Sequence, residues 1–435
     1  MKIISTTLLV LFFLSSLFSC STGSKNKSDG ILLNEKGIYG KKEWTPMLNY
    51  TLELHKKSTH KKAYPFIYDW EEIGPGYYYA PAFGHWDIVN QAEDAFVYDK
   101  EFGIRQMYND IHNQTATGMI PGSIWMPGGK SQRDTAEWNT DSEGHPPIWV
   151  FAVDDYVEMT GKVNLLKDFY TALIRQITWF ENNRKAVGEG FFYNDILLKL
   201  WESGIDEGVR FDETGLGRWA CIDATCHVYK MYEFAEKWSK ELGFNPFYFE
   251  KRKNELNKFI QDSLYVEQDK MFYDIWAVKN PSLRHIVFEN LWPLITGCAT
   301  KQQADALIDN YILNPAHFYT PHPISTVSVS DPKFELRMWR GSAWNSMTYW
   351  VARGCLNYGR KDAAIKLLEK ALDMSAMQFA KTGTIWEFYH PFGGNQSELL
   401  RKLNQGVSSP SRDYLGHDPL IAMAKLYDEL VNQKK

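Results

Sequence analysis

The chain has 435 residues, a net charge of −5 and 44% hydrophobic residues. That length suits one large domain or two modest ones. So small a charge excludes a surface organised around nucleic acid or an anionic membrane.

Met1 and Lys2 open a short basic region, and Ile3 to Leu14 is apolar apart from Ser5, Thr6 and Thr7. The stretch is shorter than the roughly 20 residues a spanning helix needs. It runs into Leu17-Phe18-Ser19-Cys20 and then a polar segment. This pattern resembles the bacterial lipobox, in which cleavage before a Cys precedes acylation of its thiol and new amine. Residues 1–19 are therefore expected to be a lipoprotein signal peptide, Cys20 the lipidated residue, and 20–42 a polar tether. A multiply acylated terminus anchors stably, which places the expected protein on the bacterial cell envelope. No second long apolar run follows, so residues 43–435 read as one soluble body.

Helical periodicity predicts helices over Lys100–Asn113, Ile148–Thr160, Leu165–Asn183, Ala220–Leu242, Phe247–Leu264, Gln302–Tyr311, Ala343–Leu356, Lys361–Phe379 and Asp418–Asn432. Two-residue alternation is confined to Pro323–Ser330. Amphipathic helices along the whole chain, without a solenoid repeat, suggest one closed helical toroid. Function is then expected on the loops at one end. Cys221, Cys226, Cys298 and Cys355 show no zinc-type spacing and read as free, buried thiols. His85, His145, His322 and His390 are scattered, so neither a metal nor another cofactor is expected.

Aromatic residues make up 15% of the chain, with 16 Trp and 24 Tyr. Flat rings with polar edges suit the C–H faces of sugars, and planar charged groups suit paired hydroxyls. Both types concentrate in loop blocks: Gly84-His85-Trp86-Asp87 leading to Gln114–Trp125, Trp201–Phe211 (WESGIDEGVRF), Met338–Asn345 (MWRGSAWN), Gly383–Pro391 (GTIWEFYHP) and Asp413–Pro419 (DYLGHDP).

In this order the blocks resemble the trehalase-like glycoside hydrolases of families 63 and 37, particularly the mannosylglycerate-hydrolase-like bacterial branch, from about Trp70 onwards. The resemblance implies an all-α (α/α)6 barrel that inverts the anomeric centre, mostly of α-glucosides. WESGIDEGVRF resembles the block carrying the general acid, which falls on Asp206. IWEFYHPFGG resembles the segment carrying the general base, which falls on Glu387. MWRGSAWN resembles the glycone-lining block, giving Trp339, Arg340, Gly341, Trp344 and Asn345, while Trp86-Asp87 matches an early Trp-Asp that holds sugar hydroxyls. Trp201, Glu202 and Arg210 complete the expected substrate site. An inverting enzyme needs a protonated acid and an ionised base across the sugar, about 6.5–9.5 Å apart. Burial against Trp201 and repulsion from Glu202 or Glu207 are expected to keep the acid protonated.

The chain departs from the family at Glu207-Gly208-Val209, at His390 and at His417-Asp418. The expected partner is thus a glycoside or an oligosaccharide from polysaccharide breakdown. Two alternatives stand: an unsaturated-uronyl hydrolase or polysaccharide lyase on the same barrel, which would want cations near the glycone, and a non-catalytic glycan-binding surface lipoprotein.

Overall fold

The computed structural model describes residues 39–130, 133–138, 143–198, 201–403 and 409–432. The signal peptide, Cys20 and nearly all of the tether lie outside the described residues. The main helices are α1 (Thr45–Ser58), α2 (Asp87–Tyr98), α3 (Lys100–His112), α4 (Trp149–Thr160), α5 (Leu166–Asn183), α6 (Ile222–Leu242), α7 (Phe247–Phe259), α8 (Trp292–Thr296), α9 (Lys301–Leu307), α10 (Asn345–Asn357), α11 (Lys361–Thr382) and α12 (Leu420–Asn432).

Burial sorts these helices into two rings. Almost every residue of α2, α8 and α10 is buried, and α4, α6 and α12 are buried round most of their circumference. A helix apolar all round must be enclosed, whereas an amphipathic one covers a core with one face. The outer helices show that single face: α5 buries Phe169, Leu173, Ile177 and Phe180, with Leu166, Ala172, Gln176 and Trp179 beside them, and leaves its other face half-buried or exposed. Inner and outer helices alternate along the chain, and α1 supplies the outer layer behind α12. The result is an (α/α)6 barrel. Glycines in the left-handed region end α4 at Gly161 (φ 67°) and α6 at Gly243 (φ 74°), where a side chain would be strained.

The ring closes where α12 meets α2 and α1. Asp94 of α2 accepts the Ala422 amide at the start of α12 (2.7 Å) with one oxygen. Its other oxygen meets His55 Nε2 of α1 (3.2 Å), while His55 Nδ1 pairs with Glu71 (2.6 Å). Burial opposes a charge on His55, but Glu71 and Asp94 outweigh it and lift the imidazole to about 10. Burial pushes both carboxylates up in turn, because they share a single cation.

The anticipated helices agree with the observed ones to within a few residues, except that two end in wide turns, at Ile260–Leu264 and Ile308–Ile312. Helices α1, α2 and α8 are additions to the sequence reading. Helix α2 buries Asp87, Asn90, Gln91, Glu93 and Asp94 beside its apolar residues, which masks the periodicity. Pro323–Ser330 forms no strand; it makes only the single bridges Ser325–Ala343 and Val287–Val327. A small antiparallel sheet forms instead from β1 (Ala82–Gly84), β2 (Ser123–Trp125) and β3 (Glu137–Trp138), in the loops at one end of the barrel. The four thiols beyond Cys20 are free and buried, with Cys226 and Cys298 Sγ 3.7 Å apart.

Removing one member of a buried charge cluster typically costs about 3–5 kcal/mol. Asp94→Ala should therefore lower the stability measured by urea unfolding by an amount in that range, reported by loss of helical circular dichroism. An unchanged midpoint would show that ring closure does not depend on this carboxylate.

Candidate active site

The loop end of the barrel encloses a cavity of about 250 Å3. Its buried lining includes Trp86, Asp87, His145, Trp339, Trp344, Glu387, Arg401, Tyr414 and His417; its half-exposed lining includes Tyr77, Tyr79, Trp125, Arg133, Trp201, Asp206 and Lys402. One side is therefore closed by protein and the other opens to solvent.

Asp87 begins α2, and Gly84 and Gly416 press on its carboxylate so closely that a Cβ at either would lie within 2.4 Å of it. Tyr414 donates its hydroxyl to Asp87 Oδ1 (2.7 Å). Trp86 closes over Gly204, where a Cβ would sit 2.5 Å from the indole. Trp339 and Trp344 stack nearly parallel with ring centroids 3.5 Å apart, and Trp86 lies 5.6 Å from Trp339. Gly341 allows the turn between them: at φ 151° a Cβ there would meet the Glu335 carbonyl at 2.4 Å.

Three carboxyl groups face this space. Burial favours a proton on Glu387, but Arg401 and Ser411 outweigh it and hold the group below the ordinary range. Arg401 donates Nε to Oε2 (2.8 Å) and Nη2 to Oε1, and the Ser411 amide donates to Oε2 (2.9 Å). Asp87 behaves oppositely: burial, reinforced by Glu387 and Asp206, lifts it to about 7 against the hydrogen bond from Tyr414. Asp206 is half-buried and ion-paired with Lys402. Its loop is pinned at the next residue, Glu207 (φ 58°), whose carbonyl accepts from Arg340 Nη1 (2.9 Å) and whose carboxylate accepts the Leu403 amide (2.9 Å). Consecutive cations, Arg401 and Lys402, thus contact Glu387 and Asp206 respectively. Burial leaves both cavity histidines neutral, His417 pushed down to about 3 and His145 well below its usual value.

The structure brings Trp86, Asp87, Trp201, Asp206, Trp339, Trp344 and Glu387 to one cavity. Other residues expected at the substrate turn elsewhere. Glu202 is fully buried and clamped by Arg184 through two 2.7 Å bonds, with the Asn194 amide at 2.5 Å. Arg210 is enclosed by Asp223, Asp274 (2.9 Å) and Glu289 (3.0 Å), so its guanidinium binds the barrel together and is not part of the cavity lining. Arg340 grips Asp212 (2.8 Å) and Glu335 (2.6 Å) and steadies the Asp206 loop from behind. Asn345 bonds Asp418 (2.7 Å) and Ser375 (3.0 Å) below the tryptophan pair. The carboxylates of Glu202 and Glu207 both contact other partners, Arg184 and the Leu403 amide respectively.

Sequence reading misses Arg401, Lys402, Tyr77, Tyr79 and Arg133. The run Tyr77-Tyr78-Tyr79 is a usable signal; Arg401-Lys402 is not, because it lies in a polar stretch without pattern. Among the described residues one group of potential metal ligands occurs, Cys221, Asp223 and Asp274. Arg210 already serves both of its carboxylates.

Residues 80–415 match the model of the mannosylglycerate hydrolase MGH1-like glycoside hydrolase domain. An uncharacterized protein of Borreliella burgdorferi is 30% identical over 253 residues, 56% of this chain and 51% of that protein, so the chain spans about half the length of the curated relative it matches. The GH63 mannosylglycerate hydrolase of Thermus thermophilus, in complex with Tris and D-glycerate, superposes with a TM-score of 0.67 at 15% identity, over 88% of this chain and 99% of that one. The neutral trehalase of Saccharomyces cerevisiae gives 0.59 at 15%, over 81% and 72%. A rhamnosidase of Klebsiella oxytoca with rhamnose bound gives 0.58 at 13%, over 90% and 64%. At these identities the likeness is one of fold.

Arg401 supplies the charge that keeps Glu387 ionised against burial. Arg401→Met should move the acid limb of the pH–activity profile to higher pH, because Glu387 then stays protonated further up the scale. Arg401→Lys, which keeps the charge, should move it less. A limb that stays in place in both variants would show that Glu387 does not control it.

Proposed function

The chain belongs to the mannosylglycerate hydrolase MGH1-like glycoside hydrolase family and is a glycoside hydrolase, and from that premise we propose that it cleaves an α-linked glycoside with inversion, Asp206 serving as general acid and Glu387 as general base. The observation that carries this reading is the contrast between two carboxylates on one closed-ended cavity. Glu387 is immobilised and ionised by a two-point contact with Arg401. Asp206 stands on the half-exposed side, held by one long-chain ammonium that an arriving substrate can displace.

In this arrangement the terminal sugar enters the buried end. Asp87, raised to about 7, and the Tyr414 hydroxyl meet sugar hydroxyls, while Trp86 and Trp339 cover C–H faces. Glu387 accepts a proton from a water as that water attacks the anomeric carbon. Once the substrate has displaced Lys402 and the Asp206 carboxylate has taken up a proton from solvent, Asp206 donates that proton to the departing oxygen. Two carboxylates on opposite sides of the scissile bond with room for water give inversion. A uronate-specific site would want free cations at the buried end; Arg401 there is committed to Glu387, His417 is neutral, and His390 pairs with Glu398 away from the cavity.

Proton transfer of this kind is worth roughly 10²–10⁴-fold in rate. Asp206→Asn should lose that much on substrates with poor leaving groups and recover on glycosyl fluorides, which need little protonation. Glu387→Gln should lose activity on both, because every substrate needs the water activated. NMR of the first product should show the inverted anomer. Retention, or equal behaviour of the two variants across leaving groups, would overturn the assignment.

We also propose that the protein is anchored to the bacterial cell envelope by acylation at Cys20, supported by Leu17-Phe18-Ser19-Cys20 after an apolar run. Cys20→Ala should leave the precursor uncleaved or shift the protein out of the membrane fraction. Wild-type protein that fractionates as soluble and begins downstream of Cys20 would refute this.

A further inference from the structure

We infer that Tyr77-Tyr78-Tyr79 forms a stacking track for the leaving-group side of a longer substrate, so that the enzyme shortens oligosaccharides of three or more units from the non-reducing end. This rests on the acid–base reading above and extends it beyond the scissile bond.

Four tyrosines form a file from the closed end of the cavity to solvent. Ring centroids are 5.6 Å apart from Tyr414 to Tyr77, 5.5 Å from Tyr77 to Tyr79 and 4.7 Å from Tyr79 to Tyr78. Exposure rises along the file: Tyr414 is 3% exposed, Tyr77 and Tyr79 are half-buried, and Tyr78 is 46% exposed. The inner end touches Asp87 through Tyr414, and Tyr77 and Tyr79 line the cavity, so the file is continuous with the catalytic space. On the same lining stand Trp125, with the Arg133 guanidinium 5.0 Å from its ring, and Trp201.

The track is rigid for a reason legible in its glycines. A Cβ at Gly76 would fall 1.5 Å from the Arg412 carbonyl oxygen, and one at Gly74 (φ 134°) would fall 2.3 Å from that of Asp413. The loop is thus laid directly on the backbone that carries Tyr414, with Leu415 N donating to Ile73 O (2.8 Å). Lys130 Nζ fastens its other side by donating to Gly76 O (3.0 Å), and Ala80 N donates to Tyr77 O (3.2 Å). Tyr78 sets its ring against Tyr79 and leaves 46% of its surface to solvent at the mouth of the cavity. The rings of the file meet edge to face, and among the described residues nothing bonds the hydroxyls of Tyr78 and Tyr79, which leaves the solvent side of the Tyr78 ring and two polar tips for a ligand. A sugar offers the complement, C–H faces and hydroxyl edges. With the terminal unit in the closed end, the rest of the chain leaves across these rings.

The test uses α-gluco- and α-manno-oligosaccharides of two to five units, with α-glucosyl and α-mannosyl fluoride as substrates that lack any leaving-group sugar. In the wild type, kcat/KM on the cleaved series should rise from two units to four by roughly three- to tenfold, the scale of an aromatic contact. Tyr78→Ala should flatten that ratio, and Tyr78→Phe, which keeps the ring, should restore most of it. Tyr78 is on the surface, so both variants should fold, and wild-type unfolding midpoints verify this. Fluoride hydrolysis without chain-length dependence, without cleavage of any oligosaccharide, or with a ratio unaffected by Tyr78→Ala overturns the track and leaves the acid–base reading standing. Failure on the fluorides as well overturns both.

Discussion

Asp94 holds the barrel shut. A ring of helices has no edge only if its last inner helix docks on its first, and that contact buries the amino-terminal end of α12, where backbone N–H groups lack helical partners. A carboxylate answers both the missing acceptor and the positive end of the helix dipole. Asp94 supplies it from α2 and at the same time receives His55 from α1, so three helices meet on one side chain. One turn earlier on α2, Asn90 donates to the Gly416 carbonyl (2.8 Å) and accepts from Trp350 (3.0 Å) on α10. Closure of the ring therefore also fixes the loop bearing Tyr414 and His417, and with it the buried half of the cavity.

At the cavity the constraint becomes electrostatic. Three carboxyl groups around one small volume cannot all ionise cheaply, and the fold gives them different treatment. Glu387 receives a guanidinium and a backbone amide, Asp206 an ammonium near solvent, and Asp87 a phenol, its own amide and two close glycines, with His417 Nε2 at 3.5 Å. Environments that separate the proton affinities of neighbouring acids are how one site acquires distinct proton donors and acceptors. Arg401 holds Glu387 down while burial raises Asp87, and the adjacent Lys402 reaches Asp206 on a different loop.

Much of this was legible in the sequence, for reasons that also explain what was not. Long outer helices such as α5 and α11 carry one apolar face, so their periodicity states their ends and their orientation. Helix α2 gives no such signal because its buried surface is partly polar, and those polar groups include the closure contacts and Asp87 at the cavity. Within the loops, a block such as WESGIDEGVRF identifies which residues lie close together but not the direction each side chain takes. Trp201 and Asp206 turn into the cavity, whereas Glu202 and Arg210 turn back into buried ion pairs. Arg and Glu in a sugar-binding block are ambiguous for this reason: the guanidinium geometry that would grip two hydroxyls grips a carboxylate equally well. Arg340 shows the middle case, since it is absent from the cavity lining yet fixes the backbone at Glu207 and so the placement of Asp206.

The treatment of Asp87 and Glu387 also sets how the site bears on the stability of the fold. Glu387 is held below its unfolded value, so it stabilises the native state above that value, and the contribution is lost as pH falls through the folded one. Asp87 is raised from 3.8 to about 7, so between those values the folded chain keeps a proton that the unfolded chain has released. Its contribution to stability accordingly falls as pH rises through that window. At the first residue of α2 the helix dipole favours a carboxylate, but the burial that lifts Asp87 to about 7 opposes its charge. The cavity in front of it gives the group a further use. Ringed by Trp86, Trp339 and His417, an apolar or amide side chain would pack there with less cost but would offer no switchable donor and acceptor to a hydroxyl-rich ligand. Under the function proposed above, a terminal sugar is the ligand whose hydroxyls and C–H faces would satisfy the groups at the buried end of the cavity.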